Sequence, residues 1–309
     1  MALELPWQET EKLVQELAWR DYWQQIWIAK GDAINTDLNY PQSPVVSHQI
    51  PRAIINATTG IEAVDDAISM LYNTGYMHNH MRMYIASICC NIANCHWSEA
   101  AKWMYAHLFD GDLASNQLSW QWIAGSFSNK KYYANQDNIN KFFDSTQKDT
   151  FLEIDYEAFN ALQVPSILSE KMPYNIGLSL PEIKNPITIE DQPSLIYNYY
   201  NLDPNWREGE EFQRILLLEP SLFRKHFVSQ KCIDFALDLK KNISGIKIFV
   251  GEFNELEKQL SSKNIIFKEH PLNAHYKGQE LPREWLCSIS GYFPSFFSFW
   301  KKCRKELLK

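Results

Sequence analysis

No apolar run in this 309-residue chain approaches the ~20 residues a membrane-spanning helix requires. The first residues, Met1-Ala-Leu-Glu-Leu-Pro6, carry neither the basic region nor the apolar stretch of a secretory signal. The chain therefore reads as soluble and cytoplasmic. Cysteine is present six times (Cys89, Cys90, Cys95, Cys232, Cys287, Cys303), which suits a compartment where thiols stay reduced. No Cys-x-x-Cys pair occurs, and adjacent Cys89 and Cys90 point to different faces of a helix. Buried thiols are expected, and neither an iron–sulfur cluster nor another metal site. Positive charge is also short: 30 Lys and Arg stand against 37 Asp and Glu, a net charge of −7. Contact with nucleic acid would need a local basic patch, since the chain as a whole is not a cationic coat. No strand candidate is followed by a glycine-rich phosphate loop.

Aromatic residues are plentiful: 11 Trp, 15 Tyr and 17 Phe. A core rich in large side chains explains that simply; stacking surfaces and electron hops explain it more sharply. With 45% apolar and 22% charged residues, the composition is globular. Residues 8–160 read mostly helical. Apolar residues recur at three- and four-residue spacing from Leu13 to Ile28, from Ile61 to Leu71 and from Met77 to Ala93, and another helix is expected near Ser98 to Leu108. Asn73-Thr74-Gly75 is a plausible stop between two of them. Pro165, Pro173, Pro181, Pro186 and Pro193 then mark a linker at about 163–195. Beyond it, Arg214–Leu218, Ile246–Val250 and Ile265–Phe267 alternate with helices at Ser229–Asn242 and Asn254–Leu260, the pattern of a small parallel α/β unit. The tail after Gly291 is aromatic and then basic. A C-terminal helix with cations near the favourable end of its dipole is the plainer reading, and a nucleic-acid or partner surface the other. The expected organisation is thus a mainly α domain over 1–162, a linker over 163–195, and an α/β unit with its tail over 196–309.

The stretch Met77-His-Asn-His-Met-Arg-Met83, with Asp110-Gly-Asp112 and Asn116-Gln-Leu-Ser-Trp-Gln-Trp122, gathers amide, guanidinium, carboxylate and indole groups within 46 residues. That inventory suits a planar, polar-edged ring in an apolar bowl. Asn79 and Arg82, three apart, face one side of a helix. Gly111 lets Asp110 and Asp112 turn toward one locus. A buried Arg82 needs an anionic partner, and Asp110 is the candidate; Arg82→Ala would then cost roughly 3–5 kcal/mol. Were these residues all exposed, capping and surface pairs would explain them instead. Trp120 and Trp122 lie about 200° apart on a helix, so one can face inward while the other lines an opening.

Taken together, these residues resemble the FAD-binding helical domain of the DNA photolyase/cryptochrome family. The family's Thr-Gly-x-x-x-Val-Asp, Met-His-Asn-x-x-Arg-Met, Asp-Gly-Asp-x-Ala-x-Asn and Trp-Gln-Trp elements appear here in order, from Thr59-Gly60-Ile-Glu-Ala-Val-Asp65 through Trp122. Glu16-Leu-Ala-Trp19-Arg20 is similar to the family's Glu-Leu-x-Trp-Arg helix. The resemblance covers about residues 10–140. It implies an FAD cofactor held by Asn79, Arg82, Asp110, Asp112 and Asn116, with Asn116 opposite the N5 edge and Tyr76 where a tryptophan is common near the flavin. It implies a pocket for a flipped pyrimidine dimer built from Glu16, Trp19, Arg20, Met83 and Trp122, and a photoreduction path through Trp120 and Trp97. The implied activity is light-driven electron transfer to cyclobutane dimers in DNA, with Glu16, Asn116, Trp120 and Trp97 as the residues that serve the chemistry. A cryptochrome-like, non-repairing protein with the same bowl is the alternative. A fragment that holds no FAD alone is the second alternative.

Several features depart from the family pattern. The α/β unit follows the helical domain instead of preceding it. The Ser/Thr-rich loop that holds the FAD phosphates is absent upstream of Glu16, so the chain resembles the latter part of a longer protein: either a truncated gene product, or half of a split protein whose partner chain supplies the loop. No tryptophan occupies the region Thr36 to Thr58, where the family keeps its outermost relay member. Leu13 and Tyr76 stand where tryptophans are common, and His80 replaces a frequent DNA-contacting arginine.

Overall fold

The computed structural model describes residues 6–177, 180–182, 191–260 and 264–309. The chain divides into two compact units, residues 1–175 with 285–309, and residues 176–284.

The first unit is helical. α1 (Trp7–Lys30) runs 24 residues without an internal glycine or proline, entered from Pro6 and left at Gly31. It buries Val14, Ala18, Tyr22 and Ile26, a stripe at four-residue spacing. A two-residue strand β1 (Ile50–Pro51) leads into the short α2 (Arg52–Ile55). The loop that follows is closed by one carboxylate. Asp65, in the first turn of α3 (Glu62–Thr74), accepts from Thr59 N at 2.8 Å, Thr59 Oγ1 at 2.7 Å and Gly60 N at 3.1 Å. The Thr-Gly and Asp of that motif are therefore two halves of one cap. α4 (Asn79–Ser87) continues as a single π turn over Ile88–Ile92, so the helix expected from Met77 to Ala93 is interrupted in hydrogen-bond register but not in path. α5 (Trp97–His107), α6 (Leu113–Ala124) and α7 (Gln136–Phe143) complete the set, and α6 packs against α1, α4 and α5. Trp97, Trp103 and Tyr84 lie fully inside the shared core. β2 (Lys171–Met172) pairs antiparallel with β1.

The second unit carries a five-stranded parallel sheet. Its strands are β3 (Ser194–Tyr197), β4 (Gln213–Leu218), β5 (Lys247–Val250), β6 (Ile265–Lys268) and β7 (Gln279–Leu281), in the order β5-β4-β3-β6-β7. Leu195 sits between Arg214 and Ile266, which fixes the central register. The middle strands are near-continuous apolar runs, as a sheet covered on both faces requires. α8 (Pro220–Lys225) and α9 (Gln230–Leu239) link β4 to β5, and α10 (Phe253–Gln259) links β5 to β6. Three of the five strands were legible in advance. β3 is only four residues long beside Pro193, and β7 is a partly exposed edge without alternation. Part of the expected linker, including Pro186, lies outside the described residues.

The last element departs from the expected division. α11 (Phe296–Leu307) belongs to the helical unit, not to the α/β unit. The cause is its aromatic face: Phe293, Phe296, Phe299 and Trp300 are all buried, against the α1 side of that unit. Tyr22 OH donates to Phe293 O, Gly291 N to Gln25 Oε1, and Leu286 N to Asp21 Oδ2. Arg304 forks onto Glu11 at 2.5 and 3.2 Å. The basic last turn, with Arg304 and Lys305, stands at the negative end of the helix dipole. Among the described residues no helix is long and apolar enough to cross a membrane, and no cluster of His, Cys, Asp and Glu could hold a metal.

Candidate functional site

The start of α6 gathers most of the polar residues singled out from the sequence. α3 ends at Gly75, with φ of 69°, and a Cβ there would lie 2.3 Å from the Phe109 ring. That close approach brings residues 109–112 against the start of α4. Gly111 is needed for a different reason, because a Cβ on it would meet Leu108 O at 2.9 Å. Arg82, on α4, then reaches Asp110 with Nη2 at 2.9 and 3.0 Å from the two carboxylate oxygens, and its Nε donates to Met77 O at 2.8 Å. The partner suggested by the sequence is present, but the pair is not buried: the side chains are 22% and 49% exposed. Arg82→Ala is therefore expected to lower stability by about 1 kcal/mol, well below the value for a buried pair. A urea titration of the variant measures this, and a loss above ~3 kcal/mol would mean the pair is desolvated in solution.

Asp112 is the N-cap of α6. Its Oδ1 accepts from Ser115 N at 2.7 Å, and its Oδ2 accepts from Gln24 Nε2 of α1. Arg20, one turn earlier on α1, donates to Asp110 O at 3.3 Å. Gln24 escaped the sequence reading, although it lies four residues beyond Arg20 on the same helix face. Asn116 is 8% exposed, and its Nδ2 donates to Ala101 O at 2.9 Å, tying α6 to α5. That bond leaves Asn116 Oδ1 as an acceptor with no partner among the described residues.

The other residues are spread around this locus. Asn79 and Tyr76 are exposed, as are Glu16 and Arg20 on α1; Met83 is half-buried against the core. The expected bowl is therefore an open face, not an enclosed one. Trp120 is buried and Trp122 is 37% exposed beside Tyr132, the inward and outward split expected of residues two apart on a helix. Trp97 is fully buried and donates from Nε1 to Asp37 Oδ1 at 2.8 Å; its ring and that of Trp120 are not in contact. Trp19 is covered. Phe296 of α11 stacks on it at 3.6 Å with a 10° interplanar angle, and Trp23 lies 5.4 Å away, tilted by 35°. A cavity of about 330 Å³ lies elsewhere, lined by Asn135, Asp137 and residues 152–157, and shares none of these side chains.

Arg82 and Asp112 thus stand together where α1, α4 and α6 meet, with Asn116 one turn along α6 and exposed Asn79 one turn before Arg82 on α4. Each carboxylate oxygen accepts more than one hydrogen bond, so Asp112 retains capacity for a further donor. An isoalloxazine, with carbonyl acceptors and one N–H on its pyrimidine side, matches this set, and the residues present fit an FAD ring.

The fold is that of a mainly helical domain joined to a small parallel α/β unit. Residues 13–151 match the family model described as the FAD-binding domain of DNA photolyase. The cofactor named in that description is FAD. A deoxyribodipyrimidine photo-lyase of Streptomyces griseus is 37% identical over 117 residues, 38% of this chain and 26% of that protein. One from a Synechococcus strain is 35% identical over 116 residues, 36% of this chain and 24% of that protein. The chain thus spans about a quarter of the length of these relatives. Among solved structures, a Synechocystis cryptochrome is similar at 26% identity with a TM-score of 0.38, covering 44% of this chain and 29% of that one.

Proposed function

We propose that this protein binds FAD at the start of α6 and uses it in light-driven electron transfer to cyclobutane pyrimidine dimers in DNA. The observation that carries the reading is the grouping of Arg82, Asp112 and Asn116 within a photolyase-type FAD-binding domain. Bound FAD would supply the one-electron chemistry. The chain's own residues bind and orient it. Asp110 holds the Arg82 guanidinium in place, the Asp112 carboxylate accepts from the ring's N–H, and Asn116 offers Oδ1 toward the N5 edge. Trp120, buried on the same helix, and Trp97 are the candidate electron donors for photoreduction. Glu16, Trp19, Arg20, Met83 and Trp122 are the candidate contacts for a dimer flipped out of the duplex.

One observation favours a second reading, a cryptochrome-like protein that does not repair. Phe296 already stacks on the ring that a flipped dimer would use. Repair requires that α11 yield, and the exchange can be measured. An aromatic stack is worth ~0.5–1.5 kcal/mol, which corresponds to roughly 2- to 12-fold in affinity. Phe296→Leu keeps an apolar side chain and removes the stack. It is expected to strengthen binding to ultraviolet-treated DNA by that factor and to leave binding to untreated DNA unchanged. Gel retardation with both DNAs reads the ratio. Equal affinity of the parent protein for the two would remove the basis for repair, and an unchanged ratio in the variant would mean that the lesion does not reach Trp19.

A further inference from the structure

The region between Thr36 and Thr58 contains no tryptophan, and the structure shows what stands beside Trp97 instead. Asp37 lies at the end of the loop after α1. Its Oδ1 accepts from Trp97 Nε1 at 2.8 Å and from Ser126 Oγ at 3.1 Å, and its Oδ2 accepts from Gln42 N at 2.9 Å. His96 Nε2 is 3.3 Å from the same Oδ1, and the His96 ring stacks on exposed His48 at 4.7 Å. Among the described residues, the His96 ring, 5.6 Å away, is the one ring that Trp97 contacts. A fully buried indole with a carboxylate on its N–H is therefore joined to the surface by a carboxylate and two imidazoles.

We propose that Asp37 is the proton acceptor for an oxidised Trp97, so that the electron hole stops there as a neutral indolyl radical and passes to no further aromatic ring. The inference rests on the electron-transfer reading for its place in the protein's work, but its chemistry is local. A one-electron oxidant, an excited flavin under that reading, takes an electron from the indole. Loss of that electron turns a very weak N–H acid into a much stronger one. The Nε1–H bond breaks, the proton crosses the existing hydrogen bond to Asp37 Oδ1, and an O–H bond forms there. The products are a neutral radical and a carboxylic acid, and charge balances because the carboxylate began as an anion.

Bulk water does not reach Trp97, which is 0% exposed, and its Nε1–H is already bonded to Asp37. Asp37 is a competent base at neutral pH. Burial alone would raise its carboxyl, but the bonds from Gln42 N, Trp97 Nε1 and Ser126 oppose burial and hold it below the ordinary value, so it is ionised. Burial lowers His96, with the Asp37 charge only partly opposing, and its Nδ1 accepts from Ser98 N, so the neutral ring presents an Nε2–H to Asp37 and the transferred proton stays on the carboxyl. Asp37 touches neither the proposed flavin edge nor Trp120, which makes it separable from cofactor binding.

The test needs no flavin. Flash-generated ruthenium(III) polypyridyl oxidises the purified protein, and paramagnetic resonance with infrared difference spectroscopy follows the product. The expected result is a neutral tryptophanyl radical together with a new carboxylic-acid C=O band, formed more slowly in deuterated water. Trp97→Phe and Asp37→Asn are each expected to abolish the acid band, which radicals formed on the other tryptophans do not produce. The amide introduced by Asp37→Asn retains an oxygen for Trp97 and Ser126, and if that variant does not fold, the band and isotope effect in the parent protein decide the matter. A Trp97 radical that stays protonated, a neutral radical without the acid band, or an acid band unchanged in Trp97→Phe would each overturn the proposal. Failure of the flavin reading is seen separately, as a protein that takes up no FAD.

Discussion

Asp112→Ala is expected to lower the stability of the helical unit by about 2–4 kcal/mol and to abolish FAD retention. Two losses combine in the first figure. The α6 N-cap is removed, worth ~1 kcal/mol, and the buried Gln24 amide loses its charge-assisted bond to the carboxylate, worth ~1.5–3 kcal/mol. Asp112→Asn separates folding from binding. Its oxygen can still cap Ser115 N or accept from Gln24, so most stability is kept, while the anionic acceptor proposed for the ring N–H is gone. Denaturant titrations followed by tryptophan fluorescence give the stability of each variant. Equilibrium dialysis against FAD gives the affinity. Unchanged FAD affinity in a well-folded Asp112→Asn protein would remove Asp112 from the site.

The second large effect concerns the α/β unit and acid. His270, just past β6, is 9% exposed, stacks on Tyr200 at 4.5 Å and accepts Leu272 N on Nδ1 at 3.3 Å. Burial, helped by the Arg283 charge, pushes its pKa down from 6.5 to about 3. The folded state therefore refuses a proton that the unfolded chain accepts. Stability from this group is complete above about pH 6.5 and is lost as pH falls toward 3, by about 5 kcal/mol at ~1.4 kcal/mol per unit. Hydrogen exchange of the β3, β4 and β6 amides between pH 7 and 4 measures it. His270→Asn, whose Oδ1 can replace Nδ1 as the acceptor for Leu272, is expected to flatten that dependence. An equally steep acid loss in the variant would place the acid-sensitive group elsewhere.

How much of this could be read from the chain follows from sequence distance. The Arg82–Asp110 partnership was legible because both residues belong to short motifs and a buried or half-buried guanidinium needs an anion. The Trp120 and Trp122 split followed from helix geometry alone. The Asp65 cap was present in the motif but not recognised as a cap, since its reach back to Thr59 depends on the turn at Gly60. What joins α1 to the rest was not legible. Gln24 meets Asp112 across 88 positions and Tyr22 meets Phe293 across 271, and no local periodicity encodes which faces will meet. The aromatic tail was read correctly as a helix with a basic end. Its placement in the helical unit, over Trp19, emerged only from the structure, and it changes the functional argument most. In the α/β unit, β4, β5 and β6 were visible as apolar runs, whereas β7 lacks any alternation that would set it apart from a loop.

Every step of the proposed chemistry requires that the residues at the start of α6 hold FAD. The most direct measurement is the visible absorption of the purified protein after incubation with FAD and passage through gel filtration, run beside Asp112→Asn. Flavin bands are expected to travel with the parent protein and to be reduced or absent in the variant. A parent protein that emerges colourless, or a variant that retains the same colour, would contradict the proposed FAD site.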